Sequence, residues 1–382
     1  MTRFDTAVIG GGMITHDQLL PSLYQLQRLG AIGSIRVCAR RRETLDRLAS
    51  SDTLREAFPG HSFEPTTEPF ERVLGSMAAR QLAVVAVPDP LHRDVILAAL
   101  RANQHVCAVK PLVMTVRDAA EIEVEGRTRG LMTGIDYHKR FDDRSLMARR
   151  LYRAGRFGEF RLGTACLHEK WSYRHSNFQN WCTAENSDAF CYIGCHYVDL
   201  VQFITGLQPV AVSVYGQLDR YPNGNQGYLW TDARVRWSNG ACLNVQNSLG
   251  YPEEGPGSNS QGLTMHCSGG DAGALLRHSD QYRGIEYSYL SGPYAEPSSD
   301  YFQSVPRSGG GLEPVGYGYR SIARIVEACR KVEETAAERR AEMLAEIDRE
   351  EWIATPANSR HNDRVIEAAR LSILDGGREV SL

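Results

Sequence analysis

The chain has 382 residues, a length that predicts two domains at roughly 100–200 residues each. Hydrophobic residues make up 42% and charged residues 23% of the chain, as in ordinary globular proteins. The formal net charge of −3 gives no basic surface for nucleic acid or an anionic membrane, so neither is expected as a partner. No apolar run reaches the ~18 residues of a membrane span, and a strand pattern starts at once without a signal peptide. Because the nine cysteines also form no C-x-x-C pair, we expect a cytoplasmic protein with reduced thiols.

The first 140 residues alternate strand and helix patterns. A short apolar run at 6–9 leads into three glycines, and leucines at helical spacing follow them. Further strand patterns occupy 34–38, 82–87, 105–109 and 131–136. Helical patterns occupy 92–102 and 116–129. This alternation predicts an α/β domain over residues 1–140, with a parallel sheet and helices on both faces.

From about residue 160, strand patterns follow one another without intervening helices. They occupy 160–167, 210–218, 231–237, 241–248 and 263–268. One strong helix pattern at 189–205 interrupts them and ends at Gly206. Two long loops are predicted at 169–188 and 279–315, and the tail at 316–347 and 360–375 reads as helical. We therefore predict a second α/β domain over 141–382, with an open mixed or antiparallel sheet and terminal helices that partly pack back.

The glycines after the first strand form a G-x-G-x-x-T sequence, a variant of the dinucleotide-binding fingerprint. Gly10 permits the tight turn, and Gly12 lets the backbone approach a pyrophosphate at the start of a helix. Thr15 stands where Gly or Ala is usual, and the alternative is a purely structural glycine turn. Because the strand, turn and helix are in the required order, we predict a Rossmann domain that binds NAD or NADP. Its contacts would include Gly10, Gly12, Met13 and Ile14.

The end of the second strand carries no acidic residue for the ribose hydroxyls of NAD. It instead carries three successive arginines, of which Arg40 is the first. A guanidinium group suits the 2′-phosphate of NADP, whereas the alternative is a set of surface arginines at a helix start. The pattern favours NADP over NAD weakly.

Three further segments, together with the glycine loop, resemble the Gfo/Idh/MocA family, the glucose–fructose oxidoreductase and inositol dehydrogenase group. They are Val-Pro-Asp-Pro-Leu-His at 87–92, the strand ending in Lys-Pro at 105–112, and Gly-Cys-His-Tyr-Val-Asp-Leu at 194–200. The resemblance covers nearly the whole chain. It implies an oxidoreductase that acts on sugars, sugar derivatives or cyclitols, and a homodimer or homotetramer. It also places Pro88, His92 and Lys110 beside the cofactor.

The same resemblance implies the catalytic residues. Lys110 matches the lysine of the family's Glu-Lys-Pro pattern, although Val109 replaces the glutamate. Lys110 would hold the reacting oxygen, and His196 matches the family's catalytic histidine and would accept the proton. Four residues earlier the family usually has Asp, whereas this chain has Tyr192, which we include as a catalytic candidate.

The loop before the predicted catalytic helix mixes aromatic and hydrogen-bonding side chains, which is typical of carbohydrate recognition. We predict that it binds the substrate, together with a tyrosine after the last strand of the first domain. The candidates are Trp171, Arg174, His175, Asp188 and Tyr137. Each has ordinary loop packing as its alternative. Asp199 is assigned a structural role on its helix, and the spacing of His and Cys predicts no metal site.

Three functions remain open at this point. The first is an NAD(P)-dependent dehydrogenase acting on a ring hydroxyl. The second is an NAD-dependent glycoside-cleaving enzyme that oxidises, eliminates, hydrates and reduces again, which the replacements Val109 and Tyr192 motivate. The third is a non-catalytic nucleotide sensor, although such a protein would need neither Lys110 nor His196.

Overall fold

The computed structural model describes residues 2–279, 288, 290 and 298–382. These residues form two compact units, and the chain passes through each of them twice. The first unit comprises Met1–His138 and Phe302–Arg360, and the second comprises Lys139–Tyr301 and His361–Leu382. Residues 302–360, which the sequence assigned to the second domain, therefore belong to the first unit.

The first unit contains a six-stranded parallel sheet with strand order β3-β2-β1-β4-β5-β6. Its strands are β1 (Phe4–Ile9), β2 (Ile32–Cys38), β3 (Glu64–Thr66), β4 (Leu82–Val85), β5 (His105–Val109) and β6 (Thr133–Asp136). Its helices to this point are α1 (Leu20–Arg28), α2 (Arg42–Ala49), α3 (Asp52–Ala57), α4 (Phe70–Gly75), α5 (His92–Arg101) and α6 (Val116–Arg129). The central strands β1 and β4 are buried along nearly all of their length, as parallel strands covered by helices must be. The predicted Rossmann-type sheet is confirmed.

The ends of α6 show how local sequence determines an element. The Thr115 side chain accepts a hydrogen bond from the backbone N–H of Asp118, which satisfies one of the free donors at the helix start. Gly130 has a φ of 61° at the C-cap, a left-handed conformation that glycine adopts without strain. The observed helix consequently has the bounds that its end signals predict.

The second unit is built on a mixed sheet. Its elements up to residue 279 are α7 (Asp143–Arg153), β7 (Glu159–Lys170), α8 (Cys195–Thr205), β8 (Pro209–Arg220), β9 (Gln226–Trp237), β10 (Cys242–Tyr251), β11 (Asn259–Gly269) and β12 (Ala272–His278). The strands β7 and β10 are parallel, and the other pairs are antiparallel. Each residue of α8 is buried, so this helix forms the centre of the unit's core.

The chain then returns to the first unit through β13 (Gln303–Pro306), β14 (Leu312–Val315), α9 (Tyr317–Glu334) and α10 (Arg340–Glu350). The hairpin β13–β14 lies where the sequence predicted a loop at 279–315; residues 280–287, 289 and 291–297 of that prediction are outside the described part. Helix α9 joins the first unit because its apolar face is buried there: Ile325, for example, packs against Gly134 of β6.

The last segment, α11 (Arg360–Leu374) and β15 (Val380–Ser381), completes the second unit. Strand β15 pairs with β8 and extends the sheet to seven strands in the order β12-β11-β7-β10-β9-β8-β15. The predicted open mixed sheet of an α/β domain is thereby confirmed.

Candidate active site

The glycine loop follows β1 at the carboxyl edge of the parallel sheet. Gly10 has a φ of 115°, and a Cβ added to it would lie 2.1 Å from the Ala86 carbonyl oxygen. Its N–H donates to the Cys38 carbonyl at 2.9 Å, while the Thr15 hydroxyl donates to the Gly10 carbonyl at 2.8 Å. The turn is therefore held by a backbone hydrogen bond to the end of β2 and by the Thr15 hydroxyl, which donates from the position where Gly or Ala is usual.

Gly12 has different surroundings. Among the described residues, no heavy atom lies within 4 Å of the position that its Cβ would occupy. Gly12 and Met13 are exposed, and Ile14 is half-buried. This bare backbone at a helix start fits a dinucleotide, since nothing there keeps a pyrophosphate away from the N–H groups.

The helix after the glycines begins with a π-helical turn at Thr15–Leu19. Such turns are rare and occur frequently at functional sites. The turn carries Gln18, which is fully buried and donates to the Asp136 carboxylate at the end of β6 at 2.8 Å. The Ser321 hydroxyl donates to the other oxygen of Asp136 at 2.5 Å. Our sequence reasoning missed this junction, although an acid at the end of a buried strand was a visible signal.

The arginines after β2 are exposed. Arg42 pairs with Asp46 within α2 at 2.9 Å. Arg40 and Arg41 form no ion pair with another described residue. Arg40 thus stands at the carboxyl end of β2 with its charge uncompensated in the described part of the chain.

The carboxyl ends of β4 and β5 carry the next predicted residues. Pro88 is half-buried after β4, and Lys110 is half-buried directly after β5, before a cis peptide bond to Pro111. His92 is fully buried, and its ring nitrogens lie close to backbone carbonyl oxygens of both strand ends. Since β1, β4 and β5 are parallel neighbours, the fold brings Gly10, Pro88 and Lys110 to one edge of the sheet.

Tyr137 follows β6 at the same edge but is only 2% exposed. It belongs to the first unit, whereas the other predicted substrate residues belong to the second.

In the second unit, His196 lies on the first turn of α8 and is 5% exposed. A second π-helical turn, Phe190–Gly194, immediately precedes this helix. Gly194 lies against the sheet: an added Cβ would come 2.5 Å from Asn247 Oδ1. The close approach to β10 fixes the start of α8, and with it the backbone of His196.

Tyr192 lies in that π-helical turn and is half-buried. Its ring meets Phe178 edge-on at a centroid distance of 4.6 Å and Trp181 at 5.7 Å. Two aromatic rings of the 169–188 segment and the Tyr192 ring just before α8 thereby form one cluster. The cluster fixes the orientation of the Tyr192 ring. Tyr192 precedes His196 by four residues in the sequence.

The segment 171–175 forms a short 3-10 helix in which the predicted substrate residues differ in exposure. Trp171 is 43% exposed, and His175 is exposed. Arg174, in contrast, is 2% exposed; it donates to the Leu249 carbonyl at 2.5 Å and pairs with Asp219 at 2.6 Å. Its guanidinium carbon also lies 3.9 Å from the centroid of the Trp171 ring. The Arg174 charge thus joins this segment to the sheet and lies against the Trp171 ring, while its contact with a substrate stays a prediction.

Asp188 is likewise bound within the second unit. It is 1% exposed, and its Oδ1 accepts from the backbone N–H of Cys191 at 2.8 Å. Its Oδ2 pairs with Arg370 of α11 at 2.9 Å. Both oxygens are therefore engaged inside the unit, and a substrate contact by Asp188 stays a prediction. Asp199 has its expected structural role, in a buried bidentate pair with Arg140.

No described group of three or more His, Cys, Asp or Glu residues could hold a metal ion. The nine cysteines are free thiols, each buried or half-buried. No helix among residues 2–279 and 298–382 is long and apolar enough to cross a membrane.

Known proteins share both the fold and parts of the sequence. Over 56 residues the chain is 45% identical to the 1,5-anhydro-D-fructose reductase of Ensifer adhaerens, covering 15% of this chain and 17% of that protein. Over 133 residues it is 24% identical to the 2,7-anhydro-N-acetylneuraminate hydratase of Escherichia coli K12, covering 35% of this chain and 36% of that protein. The chain thus aligns with well under two thirds of either relative.

A solved structure extends the similarity to the whole fold. The complex of GenD2, from gentamicin A biosynthesis, with NAD matches with a TM-score of 0.73 at 17% identity, covering 100% of this chain and 97% of that one. At this identity the match shows the fold alone.

Two domain descriptions of one family match the sequence directly. The oxidoreductase family with an NAD-binding Rossmann fold matches residues 4–137, and the GFO/IDH/MocA C-terminal domain matches residues 145–272. These two matches cover more than half of the chain and fall on the two sheets described above. The protein belongs to the Gfo/Idh/MocA family of oxidoreductases.

Proposed function

We propose that this oxidoreductase transfers a hydride between NAD(P) and a ring hydroxyl of a sugar, sugar derivative or cyclitol. One observation at the carboxyl edge of the parallel sheet carries the proposal. The exposed glycine loop with Gly12 follows β1, and Lys110, whose side chain ends in an amine, follows β5 at the same edge. The Ensifer adhaerens relative is named as a reductase of a sugar, which supports the substrate class.

Within this proposal each residue has one task. When bound, the nicotinamide supplies the site that gives or takes the hydride. Lys110 donates a hydrogen bond to the reacting oxygen and stabilises negative charge on it. His196 takes the hydroxyl proton during oxidation and returns it during reduction. Tyr192 contacts the sugar or His196 from the aromatic cluster, in the position of the family's Asp.

The test is turnover followed by nicotinamide absorbance, with NAD or NADP and a panel of sugars, sugar acids and cyclitols. Replacing Lys110 by Met or His196 by Asn should lower kcat by about 10²–10⁴ fold with any substrate found. Lys331→Met, at an exposed lysine on α9, is the matched control and should keep wild-type turnover. Absence of absorbance change across the panel in both directions would refute the proposal.

We infer that the protein binds NADP in preference to NAD. Arg40 is exposed at the end of β2, where it can donate two hydrogen bonds to a 2′-phosphate. Arg40→Ala should weaken NADP binding by about tenfold, or about 1.4 kcal/mol, and leave NAD binding nearly unchanged. Wild-type protein that binds NAD about tenfold more tightly than NADP would contradict this preference.

We also propose a homodimer or homotetramer. The face of the seven-stranded sheet that α8 does not cover exposes four large apolar side chains among the described residues. They are Leu162 at 51%, Tyr215 at 66%, Leu218 at 47% and Leu275 at 49% exposure. The strand register places all four on one side of the sheet as two pairs, Leu162 with Leu275 and Tyr215 with Leu218, and polar residues of β9 and β10 lie between the pairs. Burial of these apolar side chains against another copy supports the assembly. Sedimentation showing a monomer at micromolar concentration would count against this assembly.

A second candidate is a glycoside-cleaving enzyme whose redox steps cancel. The Escherichia coli relative is named as a hydratase rather than a dehydrogenase, which shows that related chains have other reactions. In this chain Tyr192 could remove the carbon-bound proton in an elimination step, because a phenolate is a stronger base than the Asp usual in the family. Release of an aryl aglycone without net nicotinamide reduction, abolished in Tyr192→Phe, would favour this candidate over the first.

A further inference from the structure

His92 is the most completely enclosed histidine at the carboxyl edge of the parallel sheet. It is 0% exposed. Its Nδ1 lies 2.7 Å from the Pro111 carbonyl oxygen and 3.2 Å from that of Leu112. Its Nε2 lies 2.8 Å from the Val87 carbonyl oxygen. The ring therefore contacts backbone acceptors on two sides and points neither nitrogen towards solvent or a cofactor.

These acceptors belong to two different strand ends. Val87 follows β4 and precedes Pro88, whereas Pro111 follows β5 and is bonded to Lys110. A carbonyl oxygen only accepts hydrogen bonds, so the ring nitrogens act as donors. Either neutral tautomer donates to one strand end, and the imidazolium donates to both. Apart from the sheet itself, His92 is thus a side-chain link between the segments that carry Pro88 and Lys110.

We propose that His92 is a positioning residue that fixes the Lys110 backbone by joining the ends of β4 and β5. This revises the expectation that His92 touches the cofactor, and it rests on the proposed function of Lys110. A lysine side chain is long and flexible, so its amine can be placed reproducibly only if its backbone is held. The preceding strand holds one side of Lys110, and the His92 ring holds the peptide on the other side.

The experiment compares His92→Phe with His105→Phe. Both substitutions remove ring nitrogens from a histidine with a fully buried side chain in the same unit. His105, however, is the first residue of β5, at the end opposite Lys110. Its Nε2 hydrogen-bonds the Glu333 carboxylate, and its Nδ1 accepts a hydrogen bond from the Met132 N–H. Both variants should lose stability, but only His92→Phe should lower kcat, by about tenfold to hundredfold at a temperature where both are folded. An equal loss of kcat in His105→Phe would overturn the proposal.

Two further variants show through which residue His92 acts. His92→Asn keeps an amide donor near the Nδ1 position, on the Pro111 side, and should recover most of the lost kcat. His92→Gln keeps a donor near the Nε2 position, on the Val87 side, and should recover less. The double variant His92→Phe/Lys110→Met should have nearly the same kcat as Lys110→Met alone. Lys110→Met already removes the amine that His92→Phe would displace. Full additivity would show that His92 does not act through Lys110.

Hydrogen exchange tests the link without any turnover. His92→Phe should speed amide exchange in segments 87–91 and 109–115 and leave segment 10–15 unchanged. Unchanged exchange at 109–115 would overturn the proposal even if kcat falls. If wild-type protein turns over no substrate, the proposed function fails, while the exchange result still decides whether His92 joins the two strand ends.

Discussion

At the scale of single residues, the two glycines of the fingerprint have different physical tasks. Gly10 is required by the fold, because an added Cβ would meet Ala86 and φ is 115°. Gly12 has open space beside it in the described part of the chain. We expect Gly10→Ala to destabilise the protein by about 2 kcal/mol or more. Gly12→Ala should leave the urea midpoint unchanged and weaken NAD(P) binding by about tenfold.

The comparison is decisive because each variant is the control for the other. Unfolding in urea measures stability, and fluorescence titration with cofactor measures affinity. If Gly12→Ala binds cofactor as tightly as wild type, the pyrophosphate does not approach this loop. If Gly10→Ala is as stable as wild type, the close approach of the two backbones is tolerated by movement of β4.

Asp188 shows how burial changes the meaning of a charged residue. Asp188→Asn keeps an oxygen for the Cys191 N–H but leaves the partly buried Arg370 guanidinium without its partner charge. We expect a loss of about 3 kcal/mol in the free energy of unfolding and an unchanged KM in the folded protein. Glu379→Gln removes an ion pair with Arg236 whose side chains are 49% and 45% exposed, and should cost under about 1 kcal/mol. A raised KM in Asp188→Asn would support the predicted substrate contact.

At the scale of elements, one arginine holds the β13–β14 hairpin on the first unit. The Arg28 guanidinium donates to the Leu312 carbonyl and, at 2.8 Å, to the Ala57 carbonyl, while it stacks 4.3 Å from the centre of the Phe58 ring. Arg28→Lys keeps the charge but cannot bridge both carbonyls. Amide exchange over 303–315 should therefore become about tenfold faster.

The matched control for this prediction is Arg324→Lys on α9. Arg324 is 61% exposed and pairs with Glu327 within the same helix at 2.7 Å. Its replacement should leave exchange in the hairpin unchanged. Equal acceleration in both variants would mean that overall stability, rather than the Arg28 contact, limits exchange.

At the scale of the whole molecule, buried histidines make stability depend on pH in both units. Burial lowers the pKa of His361 to about 4 from its ordinary 6.5, and burial also lowers the pKa of His105 and His168. Between these pKa values the histidines bind protons in the unfolded chain but not in the folded chain. The stability that is present above pH 6.5 is therefore lost as the pH falls towards 4. For His361 this loss is about 3 kcal/mol.

Urea unfolding between pH 7 and 4.5 measures this dependence. His361→Gln removes the titrating group and should flatten the decline, whereas His175→Gln, at an exposed histidine of the same unit, should not alter it. If the free energy of unfolding falls equally steeply with pH in His361→Gln, the pH dependence comes from other buried groups.

Much of this protein can be predicted from short stretches of sequence. The alternation of apolar runs and helical spacing identifies the parallel sheet, and Thr115 and Gly130 mark the bounds of α6, because caps and strand periodicity depend on neighbouring residues. Lys110 and the glycine loop are likewise recognisable at strand ends. The resemblance of the motifs identifies the family, although periodicity alone would have left its chemistry open.

Only the tertiary structure decides how polar residues are used. Arg174 and Asp188 read as substrate contacts, yet their partners Asp219 and Arg370 lie far away in sequence and reach them only through folding. His92 similarly meets Pro111 only because β4 and β5 are neighbours. The chain also returns to its first unit through residues 302–360, because α9 buries its apolar face there. Local pattern thus determined the elements and the position of Lys110, whereas long-range burial determined which charges are left to meet a ligand.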